Sequence, residues 1–197
     1  MDKSQQKTDS ELVLLTLQHE DYFLYLVQRY EAKLSRYIHR ITGFGKEDIE
    51  DLLQEIFLKI YLNLNDFDTN LNFSSWAYRI THNEAINCLK KNSKRKTVSL
   101  ETDEEDIVSL IEVLKSDVDI PKETAQKELA EKVRGIIYSM PEKYRDALVL
   151  RFLEDKDYSE ISDILKKPIG TVSVLINRAK EYFKKLAEKN NLQSLFS

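Results

Sequence analysis

The chain has 197 residues, enough for one domain or two small ones, each able to bury a modest core. Only 4 Gly and 3 Pro occur, 32% of residues are charged and the formal net charge is −4, which favours helices and excludes a chain that is basic throughout. The single cysteine, Cys88, excludes an intrachain disulfide and a cysteine-cluster zinc site, and no run approaches the roughly 20 apolar residues that span a bilayer.

The polar stretch from Met1 to Ser10 and the short apolar run Leu12 to Leu15 do not make a secretory signal, so a cytoplasmic chain without membrane insertion is expected. Glu11 to Gln18 predicts a short helix, broken at His19-Glu20-Asp21. Phe23, Leu26, Tyr30, Leu34, Ile38 and Ile41 recur at spacings of three and four, one face of a second helix. Gly43-Phe44-Gly45 ends it, because glycine tolerates the left-handed cap conformation. Ile49, Leu52, Leu53, Ile56, Ile60 and Leu64 form the stripe of a third helix. Asn65 to Asn72 is a loop by composition, since short Asn and Asp side chains compete for backbone hydrogen bonds.

Residues 73–92 predict a fourth helix with two faces. Ala77, Tyr78, Thr81, Ala85, Cys88 and Leu89 make a buried stripe, while Trp76, Arg79, Asn83, Asn87 and Lys90 line the opposite side. Lys91, Lys94, Arg95 and Lys96 extend the charge. An aromatic ring, carboxamides and a cationic end suit nucleic acid: rings stack on bases, Asn pairs with base edges and cations neutralise phosphate. The bland alternative has Trp76 packed against a neighbouring helix and the lysines capping a helix C-terminus.

Glu101 to Asp119 is densely acidic and reads as a solvated tether, within which Ile107, Leu110, Ile111 and Leu114 have the spacing of two amphipathic turns. Helical periodicity resumes with Leu129, Val133, Ile136, Ile137 and Met140, and Pro141 suits the first position of a further helix. Asp157 and Glu160 have capping-box spacing, so a short helix starts at Tyr158, with Ile161, Ile164 and Leu165 inward. Lys166 to Gly170 is a break. The next helix buries Val172, Leu175, Ile176, Ala179, Phe183 and Leu186. Short helix, tight turn and longer helix make a helix-turn-helix, whose alternative is a solvated helix in a four-helix bundle. On its outward side run Ser173, Asn177, Lys180 and Lys184, beside Val174, Arg178, Glu181 and Lys185.

His19, His39 and His82 lack ligand spacing and are read as surface or helix-face residues. With no Gly-rich phosphate loop and no nucleophile elbow, the expectation is no enzyme, no metal and no cofactor. The fold class read from these patterns is all-α: a helical domain over 1–97, an acidic linker over 98–120 and a helix-turn-helix domain over 121–197.

Three blocks in order, "EDLLQEIFLKIY" (50–61), "FSSWAYRITHNEAINCLKK" (73–91) and "MPEKYRDALVLRFLEDKDYSEISDILKKPIGTVSVLINRAKEYFKK" (140–185), resemble bacterial RNA polymerase sigma factors of the extracytoplasmic-function group. The resemblance implies a non-catalytic subunit that binds core polymerase, recognises minus-35 and minus-10 elements and helps to open the DNA. It implies that Asp51, Leu52, Gln54 and Glu55 meet core polymerase. The loop from Asp66 to Asn72 would capture a flipped-out base, with Asn70, Asn72, Phe73, Trp76, Arg79, Asn83, Asn87, Lys90 and Lys91 on the minus-10 strand. Thr171, Ser173, Val174, Asn177, Arg178 and Lys184 would face the minus-35 duplex, although Ser173 and Val174 stand where family members often carry basic residues. The implied partners are the clamp and flap elements of core RNA polymerase, promoter DNA and, as a further candidate, an anti-sigma factor. A stand-alone helix-turn-helix regulator of duplex operators is the alternative.

Overall fold

Every apolar stripe that falls within the described residues becomes a helix in a computed structural model that describes residues 7–92, 123–190 and 192. The described residues hold eight α-helices and no strand. The acidic stretch from Glu101 to Asp119, the short helix expected within it and the cations Lys94, Arg95 and Lys96 lie outside the described residues, as does the expected linker.

The chain divides into two compact units, one holding helices α1–α4 and the other α5, α6, α8 and most of α7. In the first, α1 (Asp9–Gln18) begins two residues before the expected start. Thr8 and Glu11 form a capping box: the Glu11 amide donates to the Thr8 hydroxyl at 3.3 Å and the Thr8 amide donates to the Glu11 carboxylate at 2.7 Å. A 3₁₀ turn, Glu20–Tyr22, leads into α2 (Phe23–Thr42). Gly43 ends α2 with φ of 72°, its amide donating to the His39 carbonyl at 2.8 Å. Then α3 runs over Lys46–Leu62 and stops short of Leu64, because the Asn63 carboxamide donates to the Lys59 carbonyl at 2.7 Å and caps the helix. Leu64 is still buried, within a 3₁₀ turn. The fourth helix, α4, spans Phe73–Asn92.

Helices α2, α3 and α4 pack pairwise, with α1 laid against α2 and α4. Tyr37, Leu34, Ile38, Ile41, Ile56 and Ile60 lie at the centre, each at most 1% exposed. The buried hydroxyls of Thr16 and Thr81 return to the carbonyls of Leu12 and Ala77, so neither enters the core unpaired. Two histidines depart from the surface reading. His39 is buried, its Nδ1 2.9 Å from the Phe44 carbonyl, which ties the turn after Gly43 back to α2. His82 is half-buried, with Nδ1 2.9 Å from the Tyr37 hydroxyl.

The second unit contains α5 (Glu123–Ser139), α6 (Glu142–Phe152), α7 (Tyr158–Leu165) and α8 (Ile169–Lys189). Pro141 sits one residue earlier than expected, at the N-cap, where its carbonyl accepts from the amides of Tyr144 and Arg145. Helix α6 packs along α8 and is buried at every residue from Arg145 to Leu150. Arg145 and Asp146 remain in that interior as a pair, Nε to Oδ1 at 3.3 Å. Val133, Ile137, Met140, Ile161, Val172, Ile176 and Phe183 complete the core.

Trp76 is the sole tryptophan and lies in the first unit, so its fluorescence follows that unit. Leu34→Ala should lower the stability read from a Trp76-monitored urea transition by about 2–5 kcal/mol, the cost of a cavity at a fully buried leucine.

Candidate nucleic-acid interface

The loop before α4 is shaped by its own side chains. The Asp68 carboxylate accepts from the backbone amide and from the carboxamide of Asn70, both at 2.9 Å, and the Leu71 amide donates to the Asp68 carbonyl at 2.9 Å. The Asn72 carboxamide oxygen accepts from the Ser75 amide at 3.2 Å and so starts α4. Asn70, Leu71 and Asn72 are exposed at the loop tip, but part of the hydrogen-bonding capacity of both asparagines is spent on the fold.

Phe73 corrects the sequence expectation: at 3% exposure it belongs to the core and offers no surface to a strand. Its ring meets Tyr30 at 5.3 Å and Phe67 at 5.5 Å between centroids, both edge-on. Trp76 leans on the same cluster, 5.1 Å from Phe67 and 5.7 Å from Phe73, and stays half-buried. The two readings of Trp76 therefore merge, since one part of the indole packs and another part stays in solvent. Along α4, Ala77, Tyr78, Thr81 and Ala85 are buried as expected, joined by Ile86, while Cys88 and Leu89 are half-buried. On the other side Asn83, Asn87, Lys90 and Lys91 are exposed and Arg79 is half-buried.

The first turn of α1 reaches this region. The Arg29 guanidinium and the Tyr30 hydroxyl both donate to the Asp9 carboxylate at 2.5 Å, and the Ser10 hydroxyl donates to the Thr69 carbonyl at 3.3 Å. Burial and donation to Asp9 push the Tyr30 phenol far above its ordinary value.

On α3, Asp51, Gln54 and Glu55 are exposed, whereas Leu52 is 5% exposed and packs inward, so its place on the apolar stripe overrides a contact role. The apolar surface of α3 lies elsewhere, at Leu58 and Leu62, 59% and 67% exposed. These two leucines were missed, although both fall off the buried stripe at a spacing of four. Beside Leu58 a shallow groove of about 430 Å³ is lined by Phe23, Phe57, Tyr61, Glu20 and Asp21.

The capping box of α7 is formed: the Asp157 carboxylate accepts from the Glu160 amide at 2.7 Å, and the Glu160 carboxylate from the Asp157 amide at 3.0 Å. The break after α7 is three residues, Lys166 to Pro168, shorter than expected. Lys166 takes a left-handed conformation with φ of 52°, and the Ser162 hydroxyl donates to the Lys167 carbonyl at 2.5 Å. Pro168 then caps α8, its carbonyl accepting from the Val172 amide at 3.0 Å. Thr171, Val174, Asn177, Arg178 and Lys184 are exposed on α8, and Ser173 is half-buried. Ile169, 53% exposed at the first turn, is an apolar tip that the sequence had placed in the break. Lys180 holds its ammonium 5.2 Å from the Phe152 ring, which commits it partly to packing.

Residues 26–95 match the family model for sigma-70 region 2, and residues 130–182 match that for sigma-70 region 4. The chain is 30% identical over 167 residues to the ECF RNA polymerase sigma factor SigW of Bacillus subtilis, covering 84% of this chain and 89% of that one. It is 34% identical over 184 residues to the ECF RNA polymerase sigma-E factor of Haemophilus influenzae, covering 90% and 94%. Among solved structures, CnrH in complex with the cytosolic domain of CnrY superposes with a TM-score of 0.68 at 20% identity, covering 93% of this chain and 99% of that one. The sigma factor RpoE of Bartonella quintana, in complex with the anti-sigma factor NepR, gives 0.63 at 16% identity, covering 84% and 96%.

Tyr30 also generates a pH dependence. With its phenol held above the ordinary value of about 10 in the folded chain, the unfolded chain loses that proton first as pH rises. Stability should therefore be full below pH about 10 and fall above it. Trp76-monitored urea transitions at rising pH should show a shallower alkaline fall for Tyr30→Phe than for the parent chain.

Proposed function

From the premise that the chain belongs to the ECF RNA polymerase sigma factors, we propose how its surfaces divide the work of promoter-specific initiation. The protein binds core RNA polymerase and promoter DNA and directs transcription initiation. The observation that carries this is the succession of region 2 and region 4 matches on one chain, backed by relatives matched over most of their length. A stand-alone operator-binding regulator is disfavoured by region 2 itself.

The division proposed here gives core polymerase the outward face of α3, where Asp51, Gln54 and Glu55 supply polar contacts and Leu58 with Leu62 the apolar area. The minus-10 strand falls to the loop tip at Asn70 and Asn72 and to the outward line Trp76, Arg79, Asn83, Asn87, Lys90 and Lys91. Phe73 supports that surface from beneath. A captured base must be compensated for the few kcal/mol of unstacking, and the exposed part of the Trp76 ring beside the loop is suited to that. The minus-35 duplex falls to α8. Thr171, Ser173 and Val174 stand at the end that enters a major groove, with Asn177 and Arg178 behind them and Lys184 on phosphate. Val174 and Ile169 suit thymine methyl groups, which compensates for the missing basic residues.

The linker over 98–120 is proposed to thread the polymerase's nucleic-acid channels, its acidic side chains substituting for nucleic acid. The protein works without catalysis of its own, in the cytoplasm, where its polymerase resides; no described helix is long and apolar enough to cross a membrane. The anti-sigma factor NepR bound to the neighbouring RpoE supports regulation of this chain by an anti-sigma factor.

Run-off transcription with purified core polymerase and a randomised promoter library should yield initiation from a defined subset. Absence of initiation together with failure to co-purify with core would overturn the reading. On a selected promoter, Arg178→Ala should cost about 1–3 kcal/mol with relaxed preference at one upstream base pair, whereas equal weakening on all sequences would mark a phosphate contact. Lys184→Ala should lower the salt slope of promoter binding by roughly one.

A further inference from the structure

We propose that the first turn of α1 is a positioning element for the loop over residues 68–72, with Ser10 and Asp9 acting on base capture without touching DNA. The proposal rests on the reading of that loop as the capture element and deepens it. Three observations converge on it. The Ser10 hydroxyl donates to the Thr69 carbonyl, a bond across 59 residues of sequence into a turn whose other bonds are local. Asp9, the neighbouring residue, binds Arg29 and Tyr30 of α2 together, and the Arg29 guanidinium also donates to the Lys7 carbonyl at 2.9 Å. The Tyr30 ring then packs edge-on against Phe73, the first residue of α4. One helical turn thus braces the loop at Thr69 and, through Tyr30 and Phe73, at its junction with α4.

The bracing has a physical purpose. Asp68 shapes the turn from within, but its bonds run to Asn70 and Leu71 and attach the turn to no other element. A site that receives an unstacked base gains affinity by being held in the receiving geometry beforehand. Ser10 supplies an external point of attachment, and Asp9 fixes the helix that carries it.

The test uses holoenzyme reconstituted with core polymerase. Its probes are duplexes of a library-selected promoter with 2-aminopurine at successive positions of the non-template strand of the minus-10 element. For the parent protein, fluorescence should rise most at the captured position. Ser10→Ala should weaken that signal at limiting holoenzyme about fivefold, as expected for one lost hydrogen bond, with the other positions and core binding unchanged. Ser10→Thr, which keeps the hydroxyl, should restore it. Asp9→Asn, which keeps an acceptor for Tyr30 but loses the charge facing Arg29, should fall between. An unchanged signal in Ser10→Ala, an equal loss at every position, or no recovery in Ser10→Thr each overturns the proposal. Asn70→Ala separates this from the reading beneath it. If Asn70→Ala alters the captured position and Ser10→Ala does not, the brace is wrong; if neither Asn70→Ala nor Ser10→Ala alters it, the loop is not the capture element.

Discussion

The burial of Phe73 is the constraint on which the first unit's working surface depends. Its ring is the meeting point of Tyr30 from α2, Phe67 from the loop and Trp76 one turn along α4. Large aromatic surfaces stabilise strongly when buried, and tilted or edge-on pairs add a further increment. The cluster forces the chain to turn back before α4, which leaves Asn70 to Asn72 as an exposed tip. It also holds one side of the Trp76 indole and so orients the other. A polar edge is thereby built over an aromatic support whose Tyr30 hydroxyl is tied to Asp9.

In the second unit the comparable support is α6, whose six consecutive buried residues make it a pillar rather than an amphipathic cover. Helix α8 lies along it, burying Val172, Ile176 and Phe183 and turning Arg178 and Asn177 to solvent. Which side of α8 faces outward is thus set by a helix with little exposed surface of its own. The buried Arg145–Asp146 pair adds polarity to that interior, where neutralisation within the pair is what keeps two charges tolerable away from water.

Local rules were legible in the sequence wherever a single side chain decides the outcome. Gly43 ends α2, Asp157 opens α7, and the stripe from Val172 to Phe183 buries one side of α8. The Thr8–Glu11 capping box was equally legible from its spacing and would have put the start of α1 correctly. What sequence reading could not resolve was competition between local and distant partners. Phe73 stands beside a polar loop, and only contacts with Tyr30 and Phe67 draw it inward. Asn72 has the chemistry of a base contact and also that of a helix cap; the Ser75 amide claims its oxygen. Leu52 received two assignments, one from the buried stripe and one from the family resemblance, and the stripe prevailed. His39 needed the turn at Phe44 to become visible as an interior group.

Lys166 shows how the second unit trades stability against composition. A side-chain-bearing residue with φ of 52° is strained by about 1–2 kcal/mol relative to the right-handed region, a strain that glycine at the same place would not carry. The Ser162 hydroxyl, its donation closing on the Lys167 carbonyl, holds the chain in this corner despite that strain. The left-handed corner between α7 and α8 therefore carries two adjacent positive charges, Lys166 and Lys167, where conformational economy alone would have chosen glycine. Laboratory evolution for heat resistance should therefore drift toward glycine or asparagine at 166, the residues that enter the left-handed region at least cost.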